Sequence, residues 1–192
     1  MRYVTLSPLI ASALCASVTP RHRFQHPMPE DRRKPFFPRL EHLDMECTIE
    51  FSMWMLAHMW ETPLDTLILT FATTPAVTNW QTLFRAIHDQ IPHDYLRVVD
   101  ITLNCWRAYN VGFTMKQLSP LLSFTKLTRV SLGGYAALDD DAVTTMALAW
   151  PHLKLLDIYG VPLKSSQSVT FKGLANLARC QALEEEFASP VN

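Results

Sequence analysis

The sequence predicts an α/β fold built of stacked strand–helix units, and three observations predict it. An apolar triplet recurs five times: Leu40-x-x-Leu43-x-Met45, Leu64-x-x-Leu67-x-Leu69, Leu96-x-x-Val99-x-Ile101, Leu127-x-x-Val130-x-Leu132 and Leu153-x-x-Leu156-x-Ile158. Successive triplets begin 24, 32, 31 and 26 residues apart, and a weaker sixth copy begins at Leu183. A period in this range fits one short strand and one helix per unit. Helix-stopping devices recur as well: Phe37-Pro38-Arg39-Leu40 matches Trp150-Pro151-His152-Leu153, with Ile91-Pro92 and Pro63-Leu64 in comparable places. Proline disfavours helix in the residue before it, so each device ends a helix just ahead of a strand. The expected architecture is a right-handed leucine-rich repeat solenoid with a curved parallel sheet, of about five units over residues 39–192.

Residues 1–38 read as an irregular N-terminal segment and linker. Arg2 precedes an apolar stretch from Val4 to Val18, which has some features of a secretory signal. Pro8, Thr5, Ser7 and Ser12 weaken it, and a fragmentary first repeat or a frayed terminal helix is the expectation. Pro20, Pro27, Pro29, Pro35 and Pro38 then interrupt any helix.

Within each triplet, positions four and six share one strand face and turn inward, while positions three and five face outward. The leucine at position one sits in the preceding turn and also packs inward. Helices fill the intervals. From Pro75 to Gln90, Val77, Trp80, Leu83, Phe84 and Ile87 form one stripe of 3.6-residue period. A shorter helix with Met115, Leu118, Leu121 and Leu122 is interrupted by Pro120. Another begins near Asp140 and carries Val143, Met146 and Trp150, and a last one carries Leu174, Leu177 and Ala178. The stretch Ile49 to Trp60 is apolar nearly all round and is expected in the core; exposed, its Met and Trp would suit a partner surface.

Alternating strands and helices also fit a doubly wound sheet. The polar residues within the triplets argue against strands buried on both faces. Gly133-Gly134 has no phosphate-binding spacing, and no G-x-G-x-x-G or Walker loop occurs. The repeats are divergent: the usual Asn or Cys at position nine appears only as Asn104, with Thr48, Ala72, Tyr135 and Val161 elsewhere. Irregular turns are expected to follow.

At 48% hydrophobic and 18% charged, the chain has the composition of a globular domain. A net charge of −1, from 17 basic and 18 acidic side chains, offers no electrostatic reason to expect nucleic acid or an anionic membrane as a partner. The basic group Arg21, Arg23 and Arg32-Arg33-Lys34 is local and reads as a solvated linker. Cys15, Cys47, Cys105 and Cys180 are scattered, as buried thiols of a reducing compartment would be; the expected location is cytoplasmic or nuclear, with secretion less favoured. His22 with His26, or His88 with His93, have no cysteine pair to complete a zinc site.

Nothing specifies catalysis, and neither a cofactor nor a metal is expected. There is no H-E-x-x-H, no G-x-S-x-G, and Glu184-Glu185-Glu186 reads as a solvated charge run. Asp139-Asp140-Asp141 reads as helix capping rather than as a cation site. The expected function is binding of another protein at the outward, concave strand face. Its candidate residues are His42, Asp44, Thr66, Ile68, Asp100, Arg129, Ser131 and Asp157, with Val98 and Leu155 in the same rows. Three aspartates, Asp44, Asp100 and Asp157, fall in one row suited to a basic target. The alternatives are an enzyme on a doubly wound sheet and a secreted leucine-rich repeat binding protein.

Several segments carry a family resemblance. Phe36-Phe37-Pro38-Arg39-Leu40-Glu41-His42-Leu43-Asp44, Asp139-Asp140-Asp141-Ala142-Val143, Ala149-Trp150-Pro151-His152-Leu153-Lys154-Leu155-Leu156 and Val169-Thr170-Phe171-Lys172-Gly173-Leu174 look like segments of fungal F-box proteins with leucine-rich repeats. The resemblance covers roughly residues 36–187. It implies substrate recognition for a ubiquitin ligase, with the repeats holding the target. Residues 1–38 contain no F-box-like start, so docking to the ligase adaptor would need an F-box upstream.

Overall fold

In the computed structural model, residues 3–6, 37–71, 77–103, 112–159, 169–178 and 180 are described. Six strands form one parallel sheet: β1 (Tyr3–Leu6), β2 (His42–Cys47), β3 (Thr66–Phe71), β4 (Val98–Leu103), β6 (Arg129–Gly133) and β8 (Leu155–Tyr159). A second parallel pair joins β5 (Gly112–Thr114) to β7 (Tyr135–Ala137). The helices are α1 (Ile49–Ala57), α2 (Val77–Gln90), α3 (Met115–Leu118), α4 (Asp140–Ala149) and α5 (Phe171–Leu177), and a 3₁₀ turn spans Ser119–Ser123. The chain is thus α/β with a parallel sheet. Spatial order follows chain order from β1 to β8, with no reversal. A doubly wound sheet would need such a reversal, because its ligand crevice sits there.

Register follows the triplets. Leu43, Leu67, Val99, Val130 and Leu156 are aligned partners across the sheet, as are Met45, Leu69, Ile101, Leu132 and Ile158. In β2, β3, β4 and β6 these side chains are fully buried, and the position-one leucines Leu64, Leu96, Leu127 and Leu153 join them. Leu156 and Ile158 are only partly buried. The turn ahead of each strand repeats a specific bonding scheme. The carbonyl of Glu41 accepts from the N–H groups of Asp65 and Thr66; Asp65, Arg97 and Thr128 do the same for the two residues that enter the next strand. One carbonyl bridging two amides of its neighbour clamps the strands at a common starting level.

The stopping device is also visible in backbone bonds. Leu40 N–H donates to Phe37 O at 3.2 Å, and Leu153 N–H to Trp150 O at 3.1 Å. Leu127 N–H donates to Phe124 O at 3.2 Å in the same way, although no proline follows Phe124. In all three cases the accepting carbonyl belongs to an aromatic residue three positions before the leucine, so the proline is not required for this bond. Trp150 and Phe124 are both fully buried.

The helices pack against one another in chain order, α1 on α2, α2 on the 3₁₀ turn, α4 on that turn and α5 on α4. Trp80, Leu83, Phe84 and Ile87 of α2 are all fully buried, as the stripe predicts. Phe113 closes on Trp80 and Phe84, with ring centroids 5.4 and 5.8 Å away. Most of the apolar stretch after Thr48 is core: Ile49, Phe51, Met55, Leu56 and Met59 are buried, while Trp60 is exposed. The Thr48 side chain accepts from Phe51 N–H and so caps α1. Pro120 does not end its helix outright; α3 carries a Thr114–Gln117 capping box and then tightens into the 3₁₀ turn.

One expectation needs correction. The first 38 residues are not irregular throughout, because Tyr3–Leu6 is a strand paired in parallel with β2. The remaining part of that segment up to residue 36, the sixth copy at Leu183 and position-nine residues 72, 104 and 161 lie outside the described residues. Among the described residues no helix is long and apolar enough to cross a membrane.

Candidate functional site

The outward strand residues form level rows because the register is unbroken. One row reads Tyr3, His42, Thr66, Val98, Arg129 and Leu155. The next reads Asp44, Ile68, Asp100, Ser131 and Asp157. All eight candidate residues thus lie on two adjacent rows of one face. A third row, Glu46, Thr70 and Thr102, continues the face. Thr70 Oγ1 and Thr102 Oγ1 lie 3.0 Å apart and bond across the strands. Sequence reading missed this row because it stopped at the triplet.

Adjacent strands lie about 4.8 Å apart, so Asp44, Asp100 and Asp157, each two strands from the next, stand about 10 Å apart. Asp100 is the centre of the group. Its side chain is 18% exposed, and burial raises its carboxyl above the ordinary carboxylate value. Arg129 and the Ser131 hydroxyl pull it down, while the charges of Asp157 and Asp44 push it further up. The Arg129 guanidinium lies 3.9 Å from Asp100 Oδ2, which is long for a direct bond. Asp100 Oδ1 is buried without a hydrogen-bond partner among the described residues. A carboxylate so placed favours any cation or donor that reaches it.

Ser131 departs from the expected role. It is 4% exposed, because a small side chain lies between Asp100 and Asp157 with Arg129 two residues away on its own strand. It supports Asp100 and offers little surface to a partner. The other candidates are half-buried or exposed: Arg129 and Asp157 are exposed, and His42, Asp44, Thr66 and Ile68 are partly covered.

A feature invisible in the triplets lies at the amino ends of β1 to β4. An open groove of ≈ 510 Å³ runs there, reaching His42 and Thr66 of the first outward row. Its carboxylates are Glu41, Asp65 and Asp94, its cation is Arg97, and its rings are Tyr3 and Tyr95. Arg97 Nε sits 3.4 Å from Asp65 Oδ1, and Lys126 Nζ sits 3.9 Å from Asp94 Oδ1. Thr66 Oγ1 donates to Asp65 Oδ2 at 3.1 Å. Tyr3 and His42 are in ring contact, 5.5 Å between centroids.

The triple aspartate is a capping device, in an unexpected division of labour. Asp139 caps α4 by accepting from Ala142 N–H at 2.8 Å. Asp140 reaches across to the next unit and accepts from Thr170 at the start of α5. His88 and His93 lie close, 4.6 Å between ring centroids. Among the described residues no group of three His, Cys, Asp or Glu is placed to hold a metal ion.

Compared with protein-family models, curated proteins and solved structures, the chain gives no significant match to any of the three.

Proposed function

We propose that this chain is a leucine-rich repeat solenoid that binds another protein through its outward strand face, with a basic surface as the target. The observation that carries the reading is the row Asp44, Ile68, Asp100, Ser131 and Asp157, held level by the parallel register. A face of level rows, carboxylates on both flanks of a partly desolvated aspartate, suits an extended or helical basic segment laid across the strands. Monotonic strand order, the repeated bridging carbonyls and the five matched triplets support the solenoid part of the reading.

The resemblance to fungal F-box repeat proteins extends the proposal to substrate recognition in a ubiquitin ligase. In that role the strand face holds the target, and adaptor docking falls to an F-box. The cytoplasm or nucleus is the setting that role implies.

The test is affinity capture with the wild-type chain and a triple variant, Asp44→Lys, Asp100→Lys and Asp157→Lys. Partners held by the strand face disappear from the variant's captured set. An identical set from both baits contradicts the proposal. Co-capture of a ligase adaptor with a longer chain that includes any upstream F-box, and its loss when that segment is deleted, tests the ligase step separately.

A further inference from the structure

We infer that the bound partner presents an extended segment with two basic side chains about six residues apart, one for Asp44 and one for Asp157, and an uncharged stretch between them. The inference rests on the strand-face reading and adds the conformation and spacing of the segment held there.

The available charges lie at the two sides of the face. Among the described residues Asp44, Glu46 and Asp157 enter no ion pair. Glu46 stands two residues along β2 from Asp44 and shares its face, so that side is doubly acidic. The centre differs. The Arg129 guanidinium stands 3.9 Å from Asp100 Oδ2, and Asp100 Oδ1 is buried. A cation arriving there meets a like charge, and the covered Ser131 gives it little else to bond. Next to Asp44, Ile68 and its diagonal neighbour Val98 offer half-buried aliphatic surface instead. The face therefore favours a basic group, then an apolar one, then a second basic group along its row.

Strand spacing sets the distance between the two basic groups. Asp44 and Asp157 are four strand steps apart, from β2 through β3, β4 and β6 to β8, which is about 19 Å. Six residues of extended chain, β or polyproline II, cover about 19–20 Å. An even number of residues returns a β-type side chain to the same side, and six is two full turns of polyproline II. An α-helix returns the same face after eleven residues, about 16.5 Å, or fourteen, about 21 Å, and so brackets the distance without meeting it. Arginine suits both ends, because its planar fork bonds a carboxylate at two points.

The experiment titrates the ¹⁵N-labelled full chain with acetyl-Arg-Ser-Leu-Ser-Gly-Ser-Arg amide at about 0.15 M salt, where distant charges are screened. A permuted peptide of the same composition, its arginines three residues apart, is the control. The inference predicts that the first peptide shifts the amides of Asp44, Ile68 and Asp157 together. The permuted peptide reaches one side at a time and binds about three- to tenfold more weakly. Asp44→Arg and Asp157→Arg each reduce the first peptide to the level of the permuted one. Glutamate in place of its first arginine restores one variant, and glutamate in place of its last restores the other. Asp157 is exposed, so that variant carries the test if Asp44→Arg loses its dispersed spectrum. Equal affinity for the two spacings overturns the inference. So does full binding to Asp157→Arg, or failure of both glutamate peptides to restore it. The triple lysine variant judges the strand face itself: partners lost there without any spacing preference would retire this inference and leave that reading standing.

Discussion

Asp140 accepts two hydrogen bonds from Thr170, its Oδ1 from the backbone N–H at 2.8 Å and its Oδ2 from the hydroxyl at 2.6 Å. A residue in the first turn of α4 thus fixes the start of α5, one unit further along. The Thr170 hydroxyl and then its N–H, with help from Lys172 and Gly173, hold the Asp140 carboxyl below the ordinary carboxylate value. A Cβ on Gly173 would collide with Asp140 Oδ1. Glycine to alanine within a helix ordinarily adds about 1 kcal/mol of stability. Here Gly173→Ala is expected to destabilise, because the carboxylate can move aside only by giving up its bonds to Thr170. In an Asp140→Ala background the same change recovers the ordinary gain. Urea unfolding of the four-member mutant cycle measures the reversal; a stabilising Gly173→Ala in the wild-type chain contradicts the geometry.

A second link between units is the indole of Trp150, whose Nε1–H donates to the carbonyl of Leu121 at 3.2 Å inside the core. Trp150→Phe keeps a ring but leaves that carbonyl without its donor, at an expected cost of about 1–3 kcal/mol. Trp80 is equally buried, yet its Nε1 has no partner among the described residues. Trp80→Phe removes no bond of this kind and is expected to cost less. Denaturation midpoints of the two variants, compared at equal slope, decide the order.

Alternation along β3 separates structure from surface in three consecutive residues. Leu67 and Leu69 are fully buried, whereas Ile68 between them turns outward. Leu67→Ala is expected to cost about 2–5 kcal/mol, and Ile68→Thr within about 0.5 kcal/mol. Equal losses at the two positions would mean that the strand is buried on both faces.

The triplets made most of this fold legible, because a buried aliphatic at positions one, four and six leaves a direct trace in sequence. The strand Tyr3–Leu6 left little trace, since a four-residue strand without a leading leucine has no period to match. The stop device at Phe124 was hidden because the recognisable element, proline, is dispensable there. Asp139-Asp140-Asp141 was correctly read as capping, but spacing along the chain cannot reveal that Asp140 serves a helix thirty residues away. The outward rows followed from alternation alone. The groove did not, because Asp94 and Tyr95 come from a turn whose alignment with Glu41 and Asp65 depends on register across units of unequal length.

The raised carboxyl of Asp100 gives a pH dependence with a definite sign. A folded-state value above that of the unfolded chain means that the folded protein holds the proton more tightly. Stability linked to this group is therefore gained as pH falls through the raised value and is absent at neutral pH, where ionised Asp100 is unfavourable. Asp100→Asn is expected to be more stable than wild type near pH 7, with the difference shrinking as the pH drops into the carboxylate range. Thermal melts of the pair across that range check it. A difference that grows on acidification contradicts the burial that sets the shift.

The most direct test of the stacked, parallel arrangement is the set of inter-strand nuclear Overhauser contacts between backbone protons. The structure predicts parallel-type contacts at Thr66–Val98, Val98–Arg129 and Arg129–Leu155, with each strand flanked by its neighbours in chain order. Antiparallel Hα–Hα contacts among these strands, or β4 found beside any strand other than β3 and β6, would contradict it.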